Sequence, residues 1–411
     1  MAIGVKRNLE RATTREPTLA VVLAGSTAFL DLYATQPLLP LLARTFRAST
    51  FDVGLTITAP TVAVAISAPL IGRLADRAGL RRVIVGSAFL LAAATALAAT
   101  ALSLRQLIVW RFVQGLATPG IFAGTIAYIH EEWPASRAGR ATAAYMTGTI
   151  IGGFTGRVLA GLVAADVNWH ASFIALAMLN LALACALFAW LPPERPVERE
   201  ASTERQRRGA SAILHLFQNG QLVATFAIGF CVLFTQVAMF TYVTFHLAAP
   251  PFRLSTAALG WLFAVYLVGV VMTPFGGRWI DRYGHRAGLA AAMGMGAAGA
   301  LLTLTPWLFV VAAGLALCST GVFIAQASTS SYIGAVTTRD RALAVGMYST
   351  FYYMGGSVGG ALPAALWNVG EWTACVALIV TVQMTGVAIA LTFWRRNREP
   401  FRNAAPTASP S

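Results

Sequence analysis

Residues 72–82 read GRLADRAGLRR, and 205 residues further on residues 277–287 read GRWIDRYGHRA. Six of the eleven positions coincide: Gly72/Gly277, Arg73/Arg278, Asp76/Asp281, Arg77/Arg282, Gly79/Gly284 and Arg81/Arg286. Each copy joins two long apolar segments, so the chain reads as two related halves. A second echo supports the duplication independently: GGFTGRVL starting at Gly152 returns as GGSVGGAL starting at Gly355.

Composition places the halves in lipid. The 411 residues are 57% hydrophobic and 11% charged, against about 25% charged in soluble proteins. A net charge of +14 would suit a nucleic-acid binder only if the basic residues were interleaved with exposed polar surface. Here they occupy short gaps between apolar runs, which excludes nucleic acid as a partner and leaves the bilayer. Cys185, Cys231, Cys318 and Cys375 all fall inside apolar runs without metal or redox spacing, so they are expected to be buried packing residues. Neither a metal nor a cofactor is expected.

About 20 apolar residues cross ~30 Å of hydrocarbon. Twelve runs qualify, at 18–42, 54–73, 82–102, 106–128, 141–164, 169–190, 221–245, 256–277, 286–305, 307–333, 343–366 and 373–394. With both termini in the cytoplasm, cytoplasmic segments hold 24 of the 30 Lys and Arg, the asymmetry of the positive-inside rule. The first run is too long for the apolar core of a signal peptide and is expected to be retained. The Pro-rich, charged stretch PPERPVEREASTERQRRGAS between spans 6 and 7 marks the junction of the halves. The expected division is a tail at 1–17, six spans at 18–190, a linker at 191–215, six spans at 216–394 and a tail at 395–411.

Three charges lie inside spans. Asp31, in FLDLYATQPLLP, is the one mid-membrane acid. Such a group costs roughly 2.5 to 3.5 kcal/mol on insertion and is a functional candidate by default. Thr27, Asp31 and Thr35 are spaced by four and are expected on one helix face. Pro37 and Pro40 follow and should bend or end the helix. In span 4, WRFVQGLATPGIF puts Arg111, Gln114 and Thr118 on one face. At 1.5 Å rise per residue, Arg111 and Asp31 differ in depth by only ~5 Å. Span 5 carries Gly148, Gly152 and Gly156 every four residues, a pattern for close helix packing, interrupted by Arg157 at a similar depth. Asp31, Arg111 and Arg157 are therefore expected to cluster and to couple a proton.

Two enzyme-like patterns fail on context. GMGAAG, from Gly294 to Gly299, lies within span 9 with no preceding strand. GGSVG, from Gly355 to Gly359, lies within span 11 with no Asp or His partners evident. Neither an enzyme nor a channel is expected, since repeats with broken helices favour alternating access.

Taken together, these residues resemble the major facilitator superfamily over nearly the whole chain. Its loop signature between spans 2 and 3 is matched by Gly72, Leu74, Asp76, Arg77 and Gly79, with Leu80 where a basic residue is usual and Arg81 and Arg82 following. Its span 4 signature in proton-coupled members is matched by Arg111 and Gly115. The antiporter signature of span 5 is matched in part, because Gly153 stands where Pro is usual and Arg157 where the last Gly is usual. The span 1 and span 5 sequences look most like the YnfM-like branch of the twelve-span drug:proton antiporter group.

The resemblance implies an all-α membrane protein, twelve transmembrane helices in two pseudo-symmetric six-helix bundles around a central cavity. It implies lining by Thr27, Thr35, Gln36, Gln114, Thr118, Gln236, Met239, Phe240, Tyr242 and Gln326, with Tyr348 and Tyr352 from span 11. It implies a gate at Gly72, Asp76, Arg77, Gly79, Arg81, Arg82, Asp281 and Arg282, in which Arg77 can pair with Glu131 or Glu132. Helix packing falls to Gly148, Gly152, Gly156, Gly355 and Gly359. The expected function is proton-coupled efflux of small amphipathic or drug-like compounds across a bacterial inner membrane by a monomer. The alternative on the same fold is transport of organic anions or sugar derivatives in either direction.

Overall fold

The computed structural model describes residues 16–194, 216–337 and 341–394. The tails at 1–15 and 395–411, and the expected linker beyond residue 194, lie outside the described residues.

Nine helices among the described residues are long and apolar enough to cross a membrane. Spans 2 to 7 are Thr50–Ala78, Leu80–Ala98, Leu104–Glu132, Ala135–Asp166, Trp169–Trp190 and Gly220–Ala248. Span 8 is Thr256–Leu262 continued by Val265–Tyr283, and span 10 is Leu308–Val336. Arg341–Phe393 supplies spans 11 and 12, since its backbone leaves the helical region at Gly370 and Glu371. Shorter helices complete the twelve: His285–Leu302 is span 9, and Glu16–Leu30 with Leu39–Phe46 makes span 1.

Local chemistry sets the boundaries. Side chains of Ser49, Ser103, Asn168, Asn219 and Ser255 accept hydrogen bonds from the first backbone N–H groups of spans 2, 4, 6, 7 and 8, groups that have no partner within a helix. The repeated loop turns at a glycine in both halves, with φ of 90° at Gly79 and 88° at Gly284. A side chain is strained there, which accounts for that pair of repeat positions.

Span 1 departs from the continuous helix expected over 18–42. Its helix stops at Leu30, a turn follows, and Gln36–Leu38 forms a short 3-10 helix. Thr27, Asp31 and Thr35 are therefore not on one helical face, and the break precedes Pro37 instead of falling on it. The physical reason is a set of bonds to Arg111 described below.

The halves match in packing as well as in sequence. A Cβ on Gly152 or Gly156 would strike the backbone carbonyls of Ser26 and Leu30, and one on Gly355 or Gly359 those of Phe230 and Phe234. Spans 5 and 1, and spans 11 and 7, thus meet backbone to backbone, as small residues permit. One step along, the symmetry breaks: Gly148 lies against Val22, whereas Phe351 stacks on Phe226 with ring centroids 5.6 Å apart.

Contacts between the halves gather away from the 72–82 turn. Thr58 Oγ1 donates to Ser357 O at 3.1 Å, and the Ser357 and Thr61 hydroxyls are 3.1 Å apart. Gly161 faces Gly260, and Phe154 meets Trp261 edge-on at 6.0 Å. Ser357, centre of the hydrolase-like GGSVG, is therefore a seam residue.

Three cysteines are buried and Cys185 is exposed. That corrects the expectation of four buried thiols: span 6 lies at the rim of its half and turns Cys185 outward, beside exposed neighbours such as Leu181 and Phe188.

Candidate transport site

Asp31 is the first residue beyond the span 1 helix and is 2% exposed. Its carboxyl Oδ2 accepts hydrogen bonds from Thr95 Oγ1 of span 3 and, at 2.8 Å, from Asn180 Nδ2 of span 6. Gln114 Nε2 of span 4 in turn donates to Thr95 Oγ1 at 2.8 Å. Asp31 Oδ1 and Asn180 Oδ1 are buried without a hydrogen-bond partner.

Arg111, fully buried, approaches the backbone of this stretch. Its Nη1 donates to Asp31 O at 2.8 Å and to Gln114 Oε1 at 2.6 Å, its Nη2 to Leu32 O at 2.7 Å and its Nε to Thr56 O at 3.0 Å. Backbone carbonyls released where a helix ends must find donors, and the planar guanidinium supplies several from one side chain. This is why span 1 can break in the membrane. Arg111 and Gln114 do share a face, as their spacing predicts, while Thr118 turns back on its own helix to donate to Gln114 O at 2.9 Å.

Arg157 does not join them, which corrects the expected three-charge cluster. Its Nε donates to Gln36 Oε1 at 2.8 Å and its Nη1 to Gly153 O at 2.6 Å. Its guanidinium carbon lies 5.1 Å from the ring centre of Tyr33, 4.8 Å from that of Phe263 and 5.2 Å from that of Tyr266. Gln36 and the span 8 rings reach Arg157 first, because span 5 crosses span 8 at Gly161 and Gly260. Gln36 also donates from Nε2 to Thr241 Oγ1 at 3.2 Å, across 205 residues, the spacing of the sequence repeat.

The other expected lining residues divide. Thr35 pairs with Thr56 at 3.4 Å and Thr27 donates to its own helix at Leu23 O. Met239, Phe240 and Tyr242 are packed in the core, with Phe240 4.5 Å from the Tyr266 ring and Tyr242 donating to Gly360 O at 2.8 Å. Gln236 and Gln326 are half-buried, and Gln236 lies beside the Tyr266 hydroxyl. Tyr348, Tyr352 and Tyr353 form a ring-to-ring series at 5.8 and 5.6 Å, continued by Phe122 of span 4 at 5.8 Å from Tyr353.

In the repeated loop, Gly72, Asp76, Arg77, Arg82, Asp281 and Arg282 are exposed. Arg81 ties the turn to the end of span 6: its backbone N–H donates to the Glu194 carboxylate, its Nε to Leu191 O and its Nη2 to Phe188 O, both at 2.7 Å.

Thr95, Asn180, Tyr33 and Tyr266 are the site residues that the sequence reading missed. Asn180 left a signal, a single amide within the apolar LAMLNLALA. Thr95, one of several small residues in LLAAATALAAT, left none.

A two-fold-repeated helical protein with a broken first span, a buried polar network within its first half and a contact from Gln36 to Thr241 of the second belongs to the class of multi-pass membrane transporters. The Major Facilitator Superfamily model matches residues 21–250 and 244–411, and the chain belongs to that family. It is 33% identical to the uncharacterized MFS-type transporter YybF of Bacillus subtilis (strain 168) over 366 residues, 89% of this chain and 90% of that one. It is 30% identical to the inner membrane transport protein YnfM of Escherichia coli (strain K12) over 381 residues, 92% and 90% of the two chains, so the YnfM-like resemblance holds. Among solved structures, a bacterial homologue of the human lysosomal transporter Spinster, inward-facing and occupied, superposes with a TM-score of 0.73 at 16% identity, covering 92% of this chain and 96% of that one. The protein is a transporter of small molecules and not an enzyme.

Proposed function

We propose that the protein is a proton-coupled exporter of small amphipathic compounds, working by alternating access with Asp31 as the proton carrier. The observation that carries the reading is the environment of Asp31: buried, with neutral donors on Oδ2 and no partner on Oδ1. An ionised carboxylate shut away from water needs pairing and a full set of donors, and the Arg111 donors are directed at carbonyls and Gln114 instead. The neutral acid is the form that fits, so this arrangement is the proton-loaded one.

Asp31 and its donors Thr95 and Asn180 all belong to the first half, so rocking of the halves reaches Asp31 through the broken stretch beside it, where Gln36 contacts Thr241 of the second half. Release to the other side then follows from a change in hydration. The halves divide at 18–190 and 216–394, and both termini lie in the cytoplasm of a bacterial cell, on the side of the 72–82 turn. With that orientation the closed seam at Thr58, Thr61 and Ser357 faces outward and the conformer opens inward. The repeated loop is then the cytoplasmic gate, and Arg81 braces its first copy against span 6 of the same half. One chain is taken as the working unit, in which Gln36 beside the Asp31 network reaches Thr241 of the second half.

Inside-out vesicles test this with lipophilic cations, neutral drugs, sugars and organic anions. One class should drive proton efflux from the acidified lumen, and Asp31→Asn should abolish that efflux while leaving the protein folded. Proton movement that survives Asp31→Asn would refute the role of Asp31.

A further inference from the structure

Arg157 is 5% exposed in the middle of the molecule, and no acidic residue pairs with it among the described residues. All its protein contacts are neutral: the Gln36 amide oxygen, the Gly153 carbonyl and the faces of Tyr33, Phe263 and Tyr266. Nε and Nη1 are used, whereas Nη2 makes no hydrogen bond among the described residues. The Tyr33 hydroxyl beside it is buried and likewise unpartnered. A desolvated guanidinium is costly unless its charge is answered, and ring faces answer it only in part, by about 0.5 to 2 kcal/mol each. An anion with two acceptor atoms would answer that charge.

Around this cation the surroundings are aromatic. Tyr33 of span 1 and Phe263 and Tyr266 of span 8 face the guanidinium, and the Tyr266 ring lies 4.5 Å from that of Phe240 in span 7 and 5.9 Å from that of Phe323 in span 10. Both halves therefore contribute, as a site emptied by alternating access requires. Flat apolar faces with hydroxyls at their rims favour an aromatic body, and a carboxylate presents two acceptors in the plane that a guanidinium fork matches.

We propose that Arg157, with the tyrosines around it, seats the carboxylate of an aromatic monocarboxylic acid, and that this is the amphipathic cargo. The inference rests on the transporter reading above and narrows its cargo. A single uncompensated cation answers a single negative charge, which favours a monoanion. Gln36 then has a stated part: its Oε1 orients Arg157, and its Nε2 senses span 7 through Thr241.

The test uses purified full-length protein and isothermal titration with three probes of one shape: 2-naphthoate, 2-naphthamide and 2-naphthylmethylammonium. In wild type the carboxylate should bind about tenfold or more tightly than the amide, the ratio expected from one charge-assisted pair. Arg157→Gln should bring the two within about twofold, and Arg157→Lys should keep part of the preference. A thermal melt of each variant checks folding, and if Arg157→Gln fails to fold, the Arg157→Lys ratio decides. Equal binding of the carboxylate and amide by wild type, a preference for the ammonium, a preference that survives Arg157→Gln, an unchanged ratio in Arg157→Lys, or no binding of any probe would overturn the proposal. Binding needs no proton flux, so a failure here is distinguishable from a failure of Asp31 as the proton carrier, which Asp31→Asn reports in vesicles.

Discussion

At the scale of the residue, the site is a contrast between two buried arginines that the sequence presents as equals. Arg111 spends its donors on Asp31 O, Leu32 O, Thr56 O and Gln114, so its work is to hold a broken backbone in place. Lysine offers a point charge in place of a fork. Arg111→Lys is expected to destabilise the fold by about 3 kcal/mol, since breaking a buried charged network costs on the order of 3 to 5. The check is a thermal melt of the solubilised protein against wild type, and an unchanged melt would remove the anchoring role. Asn180 makes a different claim. With its amide gone Asp31 loses a neutral donor, so Asn180→Leu should leave the melt within a few degrees but change the pH at which proton coupling is half-maximal. An unshifted profile in vesicles would leave Asn180 as packing alone.

At the scale of the element, glycine chemistry separates close packing from simple tolerance. Gly156 faces the Leu30 carbonyl and Gly359 that of Phe234, whereas a Cβ on Gly294 meets nothing within 4 Å. Gly156→Val should therefore lower yield and melting temperature sharply by forcing spans 1 and 5 apart. Gly294→Ala, in the span 9 stretch that imitates a nucleotide loop, should be neutral or slightly stabilising, because alanine restricts the unfolded chain. Equal melts for these two variants would contradict the packing described here. Gly79 belongs to a third kind, fixed by its φ of 90°. Gly72 has open space around it, so its place in the repeat is not explained by a contact in this conformation.

At the scale of the whole molecule, the seam between spans 2 and 11 joins the two halves, and whether it parts during transport can be tested directly. The hydroxyls of Thr61 and Ser357 stand 3.1 Å apart, near enough for thiols to be joined by a disulfide or a short crosslinker. In a background lacking Cys185, Cys231, Cys318 and Cys375, the pair Thr61→Cys and Ser357→Cys should stop turnover when oxidised and recover on reduction. Transport that continues through a verified crosslink would mean that this seam does not part during the cycle.

Much of this was legible in the sequence, because the bilayer leaves few choices. A lipid-spanning segment must be long, apolar and helical, so twelve runs and their repeat at 205 residues were legible from composition and spacing, and the family resemblance implied the two six-helix bundles. The face shared by Arg111 and Gln114 followed from helical spacing as well, whereas the repeat marked Gly79 and Gly284 and the structure supplied their reason, a positive φ. What only the tertiary structure decided is which partner each buried charge meets. Asp31 is completed by Thr95 and Asn180, 64 and 149 residues away, and Arg157 by span 8 rings more than a hundred residues on. Depth along a helix can be read from residue number, but the direction a side chain faces depends on helix crossings. Those crossings are set by small residues meeting backbone: the four-residue spacing that ends at Gly156 announces a close contact but not that its partner is Leu30, and Gly161 with Gly260 belongs to no such spacing.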